Sequence, residues 1–152
     1  MKSGGQMKTE VQEFIKSKRF AVVGVSRDPK KFGNAIYKEL KSRGYEVYGV
    51  HSSADEIAGE KCYTSLSALR GHVDAAILCT KPEKVEPLLK DAADAGIHNV
   101  WLQQGAESKG AIEAGKNLGL NLVAGKCILM YAGPVKSFHA FHRSVVKLFG
   151  SY

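Results

Sequence analysis

The sequence predicts an α/β domain built on a mainly parallel sheet, and three observations predict it. Short, near-continuous apolar runs recur along the chain, as strands covered on both faces require. Between them lie stretches with apolar residues at i, i+3, i+4 and i+7, the face of an amphipathic helix. Strands that alternate with helices at this spacing are joined by right-handed crossovers into parallel neighbours.

The elements follow in order. Thr9-Glu10-Val11-Gln12 has the form of a capping box, and Val11, Phe14 and Ile15 make one stripe of a short helix. Residues 19–25 form an apolar run ending at Gly24-Val25, a buried parallel strand. Helical periodicity over 34–43 stops at Gly44. Residues 46–50 give a second strand and 74–79 a third. Val85, Leu88, Leu89 and Ala92 mark a helix that stops at Gly96. Residues 99–102 are a fourth strand, 108–118 a helix and 121–124 a fifth strand. The sum is a doubly wound, Rossmann-like sheet of five strands with flanking helices. Between Val50 and Asp74 the chain is polar, with a brief helical hint at Leu66 and Leu69, so a short helix or an irregular crossover is expected there. Residues 1–8 are expected to be a flexible leader, with 9–152 a single domain.

Composition narrows the function classes. At 152 residues one core suffices, and 44% hydrophobic with 24% charged residues is ordinary for a globular protein. No apolar run approaches the roughly 20 residues that span a bilayer, and residues 1–14 lack the apolar centre of a secretory signal. Cys62, Cys79 and Cys127 are odd in number, far apart and in no CxxC pair. That argues against a disulfide framework or a zinc site and favours a reducing, cytoplasmic setting. A net charge of +7 asks for an anionic partner.

In open α/β sheets ligands bind beyond the carboxyl ends of the strands. The loop after the first strand reads Gly24-Val25-Ser26-Arg27-Asp28-Pro29-Lys30-Lys31-Phe32-Gly33-Asn34. It is not the dinucleotide fingerprint, because Ser26 and Pro29 stand where GxGxxG needs glycine. The ribose-binding acid after the second strand is replaced by His51-Ser52-Ser53. The loop suits phosphate on other grounds. Gly24 turns without a Cβ, Ser26 adds a hydroxyl, and the following helix start offers N–H groups reinforced by its dipole. Arg27, Lys30 and Lys31 set three positive charges within five residues. A solvated basic turn on the same scaffold is the plain alternative.

Four blocks, VVGVSRDPKKFGN at 22–34, CTKPEKV at 79–85, VWLQQGA at 100–106 and GKCILM at 125–130, occur in an order and spacing that resembles the stand-alone CoA-binding domain family. That family is related to the CoA-binding domain of the succinyl-CoA ligase α subunit. The resemblance implies a Rossmann-like domain that binds coenzyme A, or an acyl-CoA, at the carboxyl edge of the sheet. It implies that Gly24, Val25, Ser26 and Arg27 cradle phosphates, with Gly33 at the helix start and Lys30 or Lys31 on the 3′-phosphate. It further implies that Thr80, Lys81 and Pro82 flank the nucleotide and that Val85 packs against it. Many relatives carry Asn-Pro where this chain has His51-Ser52, so the contact there differs. The ligase also uses a phosphorylated histidine from a second domain that this chain does not contain. The resemblance therefore carries binding and no catalytic mechanism.

Other residues are weighed against plainer roles. Pro82 suits a helix start whatever its function, whereas Lys81 adds a cation at the ligand edge. Trp101 reads as core. Gln103 has a ligand or a neighbouring loop to bond. Cys127 reads as a packing residue rather than a thiol that exchanges with CoA. Toward the C-terminus, Phe138, Phe141, Val145 and Phe149 fall on one helical face, with Lys136, His139, Arg143 and Lys147 opposite. Such a helix covers a flank of its own domain or a partner subunit in preference to a membrane surface, which leaves a homo-oligomer open. His139 and His142 read as a surface pair rather than metal ligands. The rival readings are an NAD(P)-binding oxidoreductase or nucleotide-sensing regulator on the same scaffold, and a nucleic-acid binder supported only by net charge. The cations are dispersed outside the loop and show no aromatic interleaving, which counts against nucleic acid.

Overall fold

The computed structural model describes residues 9–57 and 59–134. The leader expected over 1–8 and the C-terminal helix expected over 135–149 lie outside the described residues. Residues 9–14 are helical (α1). Strand β1 (Arg19–Val23), helix α2 (Phe32–Ser42) and strand β2 (Glu46–Val50) follow, then β3 (Glu56–Ile57) and β4 (Glu60–Tyr63). A 3-10 turn, Leu66–Leu69, leads to β5 (Ala75–Leu78). Helix α3 (Val85–Asp94), strand β6 (Asn99–Gln103), helix α4 (Lys109–Asn117) and strand β7 (Asn121–Lys126) complete the order.

The Rossmann-like architecture is borne out, but the sheet has seven strands rather than five, in the order β3-β4-β2-β1-β5-β6-β7. The two extra strands occupy the polar stretch expected to be a helix or irregular crossover. β4 pairs parallel to β2 through Gly49–Cys62 and Val50–Tyr63, and β3 turns back antiparallel on β4. Both are short and half polar, so neither shows the apolar run that marked the other five. The central strands are in register over Phe20–Ala75 to Val23–Leu78 and over Ala75–Asn99 to Leu78–Leu102.

Burial on both faces of the central strands explains their unbroken apolar sequence. On one face Phe14 of α1, Ile36 and Leu40 of α2, and Ile128 pack against Phe20, Val22, Ile77 and Trp101. On the other, Leu66, Leu69, Val85, Leu89 and Ala111 pack against Ala21, Ala76, Leu78 and Val100. Trp101 is fully buried, as expected of a core residue, and its Nε1 donates to the Lys126 carbonyl at 2.9 Å. The amino ends of the strands are fastened by Asp74. It accepts from the Arg19 guanidinium at 2.8 Å and from the Lys18 and Arg19 amides at 3.2 and 3.1 Å. Burial pushes the Asp74 carboxyl up, but these hydrogen bonds outweigh it and hold the group below its ordinary value.

Candidate functional site at the carboxyl edge

The opposite edge of the sheet carries the candidate site. Beyond β1, β5 and β6 lies a cleft of about 320 Å³, lined by Gly24, Lys31, Phe32, Gly33, Cys79, Thr80, Lys81, Pro82 and residues 103–106. It exists because three backbone segments approach without side chains between them. Gly24 has φ of +117°, and a Cβ there would sit 2.3 Å from the Cys79 carbonyl oxygen. A Cβ on Gly33 would sit 2.3 Å from the Gly24 carbonyl oxygen. Both glycines are therefore required by close approach.

The loop after β1 is organised by Asn34, which is buried at the start of α2. Its Oδ1 accepts from the Ser26 amide at 2.7 Å and its Nδ2 donates to the Ser26 carbonyl at 2.8 Å. The Asp28 amide donates to Ser26 Oγ at 3.0 Å, and the Lys30 amide to Asp28 Oδ1 at 3.0 Å. The loop so satisfies its own backbone and leaves Arg27, Lys30 and Lys31 exposed. Lys31 caps α2 with its backbone alone, so the first-turn amides behind it have no side-chain acceptor.

Deeper in the cleft two polar atoms are buried without a partner among the described residues: Thr80 Oγ1 and Gln103 Nε2. Gln103 is 2% exposed, and its other end is fixed, with Oε1 accepting from the Ile128 amide at 3.0 Å. A buried donor left unpaired costs about 1–3 kcal/mol. Cys79 lies on the wall beside them. Burial, with a smaller contribution from Cys127, pushes its thiol up to about 12, so it stands there as a neutral group.

The structure thus brings Gly24, Lys31, Gly33, Thr80, Lys81, Pro82 and Gln103 together around one cleft. Ser26, Arg27 and Lys30 occupy the adjoining loop. His51 sits at the end of β2, its Nδ1 accepting from the Ser53 amide at 3.1 Å, and the Ser53 carbonyl in turn accepts from Arg27 at 3.4 Å. Two residues stand apart. Val25 faces a separate groove on the flank of α2, and Val85 is fully buried in the core under α3 with no surface left for a ligand. Among the described residues no group of three or more His, Cys, Asp or Glu could hold a metal ion, and no helix is long and apolar enough to cross a membrane.

Residues 18–132 fit the family model described as a CoA binding domain. The chain belongs to the CoA-binding domain family. Its relatives include the α subunit of an ADP-forming acetate–CoA ligase II from Pyrococcus furiosus, 29% identical over 76% of this chain. The chain spans 28% of that ligase subunit. The uncharacterized protein YneT of Bacillus subtilis is 29% identical over 80% of this chain and 90% of its own length. Among solved structures, a conserved hypothetical protein from Pyrococcus furiosus superposes with a TM-score of 0.71 at 37% identity, over 74% of this chain and 97% of that one.

Within this CoA-binding domain, sequence reasoning missed Asn34 as the organiser of the loop and Phe32, Cys79 and Gln104 as cleft walls. For Asn34 the sequence carried no signal, since neither its burial nor the turn at Ser26 that its amide faces can be read from residue order. Phe32, 53% exposed at the cleft mouth, carried none, because its neighbours Lys31 and Gly33 drew the phosphate argument.

Proposed function

We propose that the chain binds coenzyme A or an acyl-CoA at this cleft, as a binding or sensing module rather than an enzyme. The observation that carries the reading is the pair of unpartnered buried atoms, Thr80 Oγ1 and Gln103 Nε2, in a cleft that Lys31 and Lys81 also line. CoA offers matching chemistry at both ends. Its phosphates suit Arg27, Lys30, Lys31 and the free amides at the start of α2. The amide carbonyls of its pantetheine arm suit the Gln103 amide and the Thr80 hydroxyl. The glycines at 24 and 33 let the chain of phosphates lie against backbone. Lys81 adds charge on the far lip, and His51 with Ser53 borders the side where a ribose or adenine would rest. Three unpaired cysteines fit a reducing cytoplasm.

Thermal unfolding with CoA, dephospho-CoA, NAD, NADP and ATP in parallel tests this. Ligand at ~100 times Kd adds ~2.7 kcal/mol, or roughly 5–10 °C for a chain of this size. A rise with CoA that weakens with dephospho-CoA is expected. Silence with CoA together with a rise for NAD or NADP would transfer the site to the oxidoreductase or nucleotide-sensor reading.

A further inference from the structure

Two of the three cysteines come together at the deep end of the cleft. Strands β5, β6 and β7 lie side by side and parallel, with Leu78 level with Leu102 and Gln103 level with Lys126. The residues that follow Leu78 and Lys126 are Cys79 and Cys127, so the two thiols flank Gln103. They also share one face of the sheet. Side chains alternate along a strand, and Cys79 and Cys127 both pack against the cluster that holds Ile77 and Trp101 on the α1 and α2 side. Cys79 lines the cleft, and both thiols are partly exposed, whereas Cys62 is buried.

Strands two places apart in a sheet are separated by about 10 Å, and a disulfide needs Cα atoms within about 7 Å, so straight strands would keep these thiols apart. The end of β7 is not straight. Leu102 is level with Ala124 but Gln103 with Lys126, so Gly125, at φ of +78°, is an extra residue that bends the strand. The chain then folds back over the end of β6. Trp101 Nε1 donates to the Lys126 carbonyl at 2.9 Å, and the Ile128 amide donates to Gln103 Oε1 at 3.0 Å. Beyond them the chain has reached the end of α2, where Arg43 Nη1 donates to the Leu129 and Ala132 carbonyls at 2.9 and 2.6 Å. Cys127 is thereby carried from β7 toward β5, near enough to help push the Cys79 thiol upward.

We propose that Cys79 and Cys127 are a reversible dithiol–disulfide site, closed across the end of β6 by a hydroperoxide oxidant. Cys79 keeps its proton at neutral pH, with its thiol pushed up to about 12, so the first step falls on Cys127. The Cys127 sulfur attacks the O–O bond and keeps one oxygen as a sulfenic acid, while the other oxygen leaves as water. The Cys79 sulfur then displaces the hydroxyl from the Cys127 sulfur, and the Cys79 proton leaves with it as a second water. Two thiols and one hydrogen peroxide give one disulfide and two waters, and a thiol reductant reverses the bond by exchange. The bond also acts on the cleft. Cys79 is part of its wall, and Ile128, next to Cys127, fixes the Gln103 amide, so closure narrows the cleft from its deep end. That last consequence rests on the CoA reading, whereas the bond itself does not.

The test takes the intact reduced chain at low micromolar concentration, treats it with a small excess of hydrogen peroxide, alkylates the remaining thiols and maps the peptides by mass spectrometry. A monomer bridged between Cys79 and Cys127 is expected, returned to three thiols by dithiothreitol and formed equally in a Cys62→Ser variant. Cys79→Ser should instead hold Cys127 as a sulfenic acid that dimedone labels, and Cys127→Ser should leave Cys79 a thiol. The bridge in the unsubstituted chain decides the matter even if a serine variant fails to fold. A bridge to Cys62, a dimer linked through either cysteine, or three thiols surviving peroxide would overturn the proposal. The effect on the cleft is read separately. The oxidised protein should lose at least half of the CoA-induced rise in melting temperature and regain it on reduction, and an unchanged rise would overturn the narrowing of the cleft. A reduced protein silent toward CoA would count against the CoA reading, with the peptide map still deciding the thiol pair.

Discussion

Gly33→Ala isolates the contact on which the cleft depends. The added Cβ would lie 2.3 Å from the Gly24 carbonyl oxygen, 2.7 Å from its carbon and 3.3 Å from the Val25 nitrogen. All three obstacles are backbone, so no rotamer change relieves them, and contact distance is restored only by about 1 Å of main-chain movement. Gly24 cannot supply that movement, because its own Cα already faces the Cys79 carbonyl. Overpacking costs about 1–3 kcal/mol, and the rigidity on both sides places this case near the top, about 3 kcal/mol. Urea unfolding should show that loss directly, and the melting temperature should fall by roughly 6–12 °C. The same displacement moves the loop after β1, so on the proposed reading CoA affinity by calorimetry should drop at least tenfold, about 1.4 kcal/mol. Gly133→Ala, where a Cβ meets nothing within 4 Å, should stay within about 0.5 kcal/mol. A Gly33→Ala protein that melts within 2 °C of the parent (about 1 kcal/mol or less) and binds CoA equally would refute the close-approach argument.

Further outcomes follow from the same geometry. Gln103→Leu removes the unpartnered Nε2 together with the Ile128 bond, so the ligand-free protein should change by no more than about 1 kcal/mol in urea, while the CoA-induced rise in melting temperature falls by at least half. Cys79, with its thiol pushed up to about 12, should resist iodoacetamide at pH 8, where its thiolate fraction is on the order of one in ten thousand; rapid modification of the native protein would contradict so raised a thiol. Because the folded state keeps the Cys79 proton while an unfolded cysteine releases it near ~8.5, that group's contribution to stability is complete below pH 8.5 and declines as pH rises above it, measurable by urea titration. Asp74 runs the other way. Its folded value is depressed, so its contribution is present above an unfolded value near ~3.9 and is lost as pH falls through the folded one, and Asp74→Asn should flatten that acid limb.

The five strands buried on both faces were legible because their covering forces an unbroken apolar run, as in residues 20–23 or 75–78. β3 and β4 were not, since Glu56, Glu60 and Lys61 face solvent at the sheet edge and leave only Ile57 and Cys62 inside. At the carboxyl edge, Gly24, Lys31, Thr80 and Gln103 were singled out by position alone, at or just beyond the strand ends, and they line one cleft there. Val85 begins α3 near the carboxyl edge, yet the helix turns it inward and it is fully buried, a rotation that sequence position does not reveal. Asn34 was missed because its role rests on two hydrogen bonds to Ser26, eight residues away, which no periodicity encodes.

The single tryptophan also divides the molecule optically. Trp101 lies in edge contact with Phe14 at 5.0 Å and near Tyr131 at 5.7 Å, all on the α1 and α2 side of the sheet. Its emission therefore reports the dissolution of one layer, whereas circular dichroism near 222 nm also registers α3 and α4 on the other. If both probes trace the same denaturation curve, the sheet transmits failure from one layer to the other and the domain unfolds in one step. If fluorescence leads, the layer bearing the Asn34 loop loosens while α3 and α4 still hold, and the ligand cleft would open before the fold is lost.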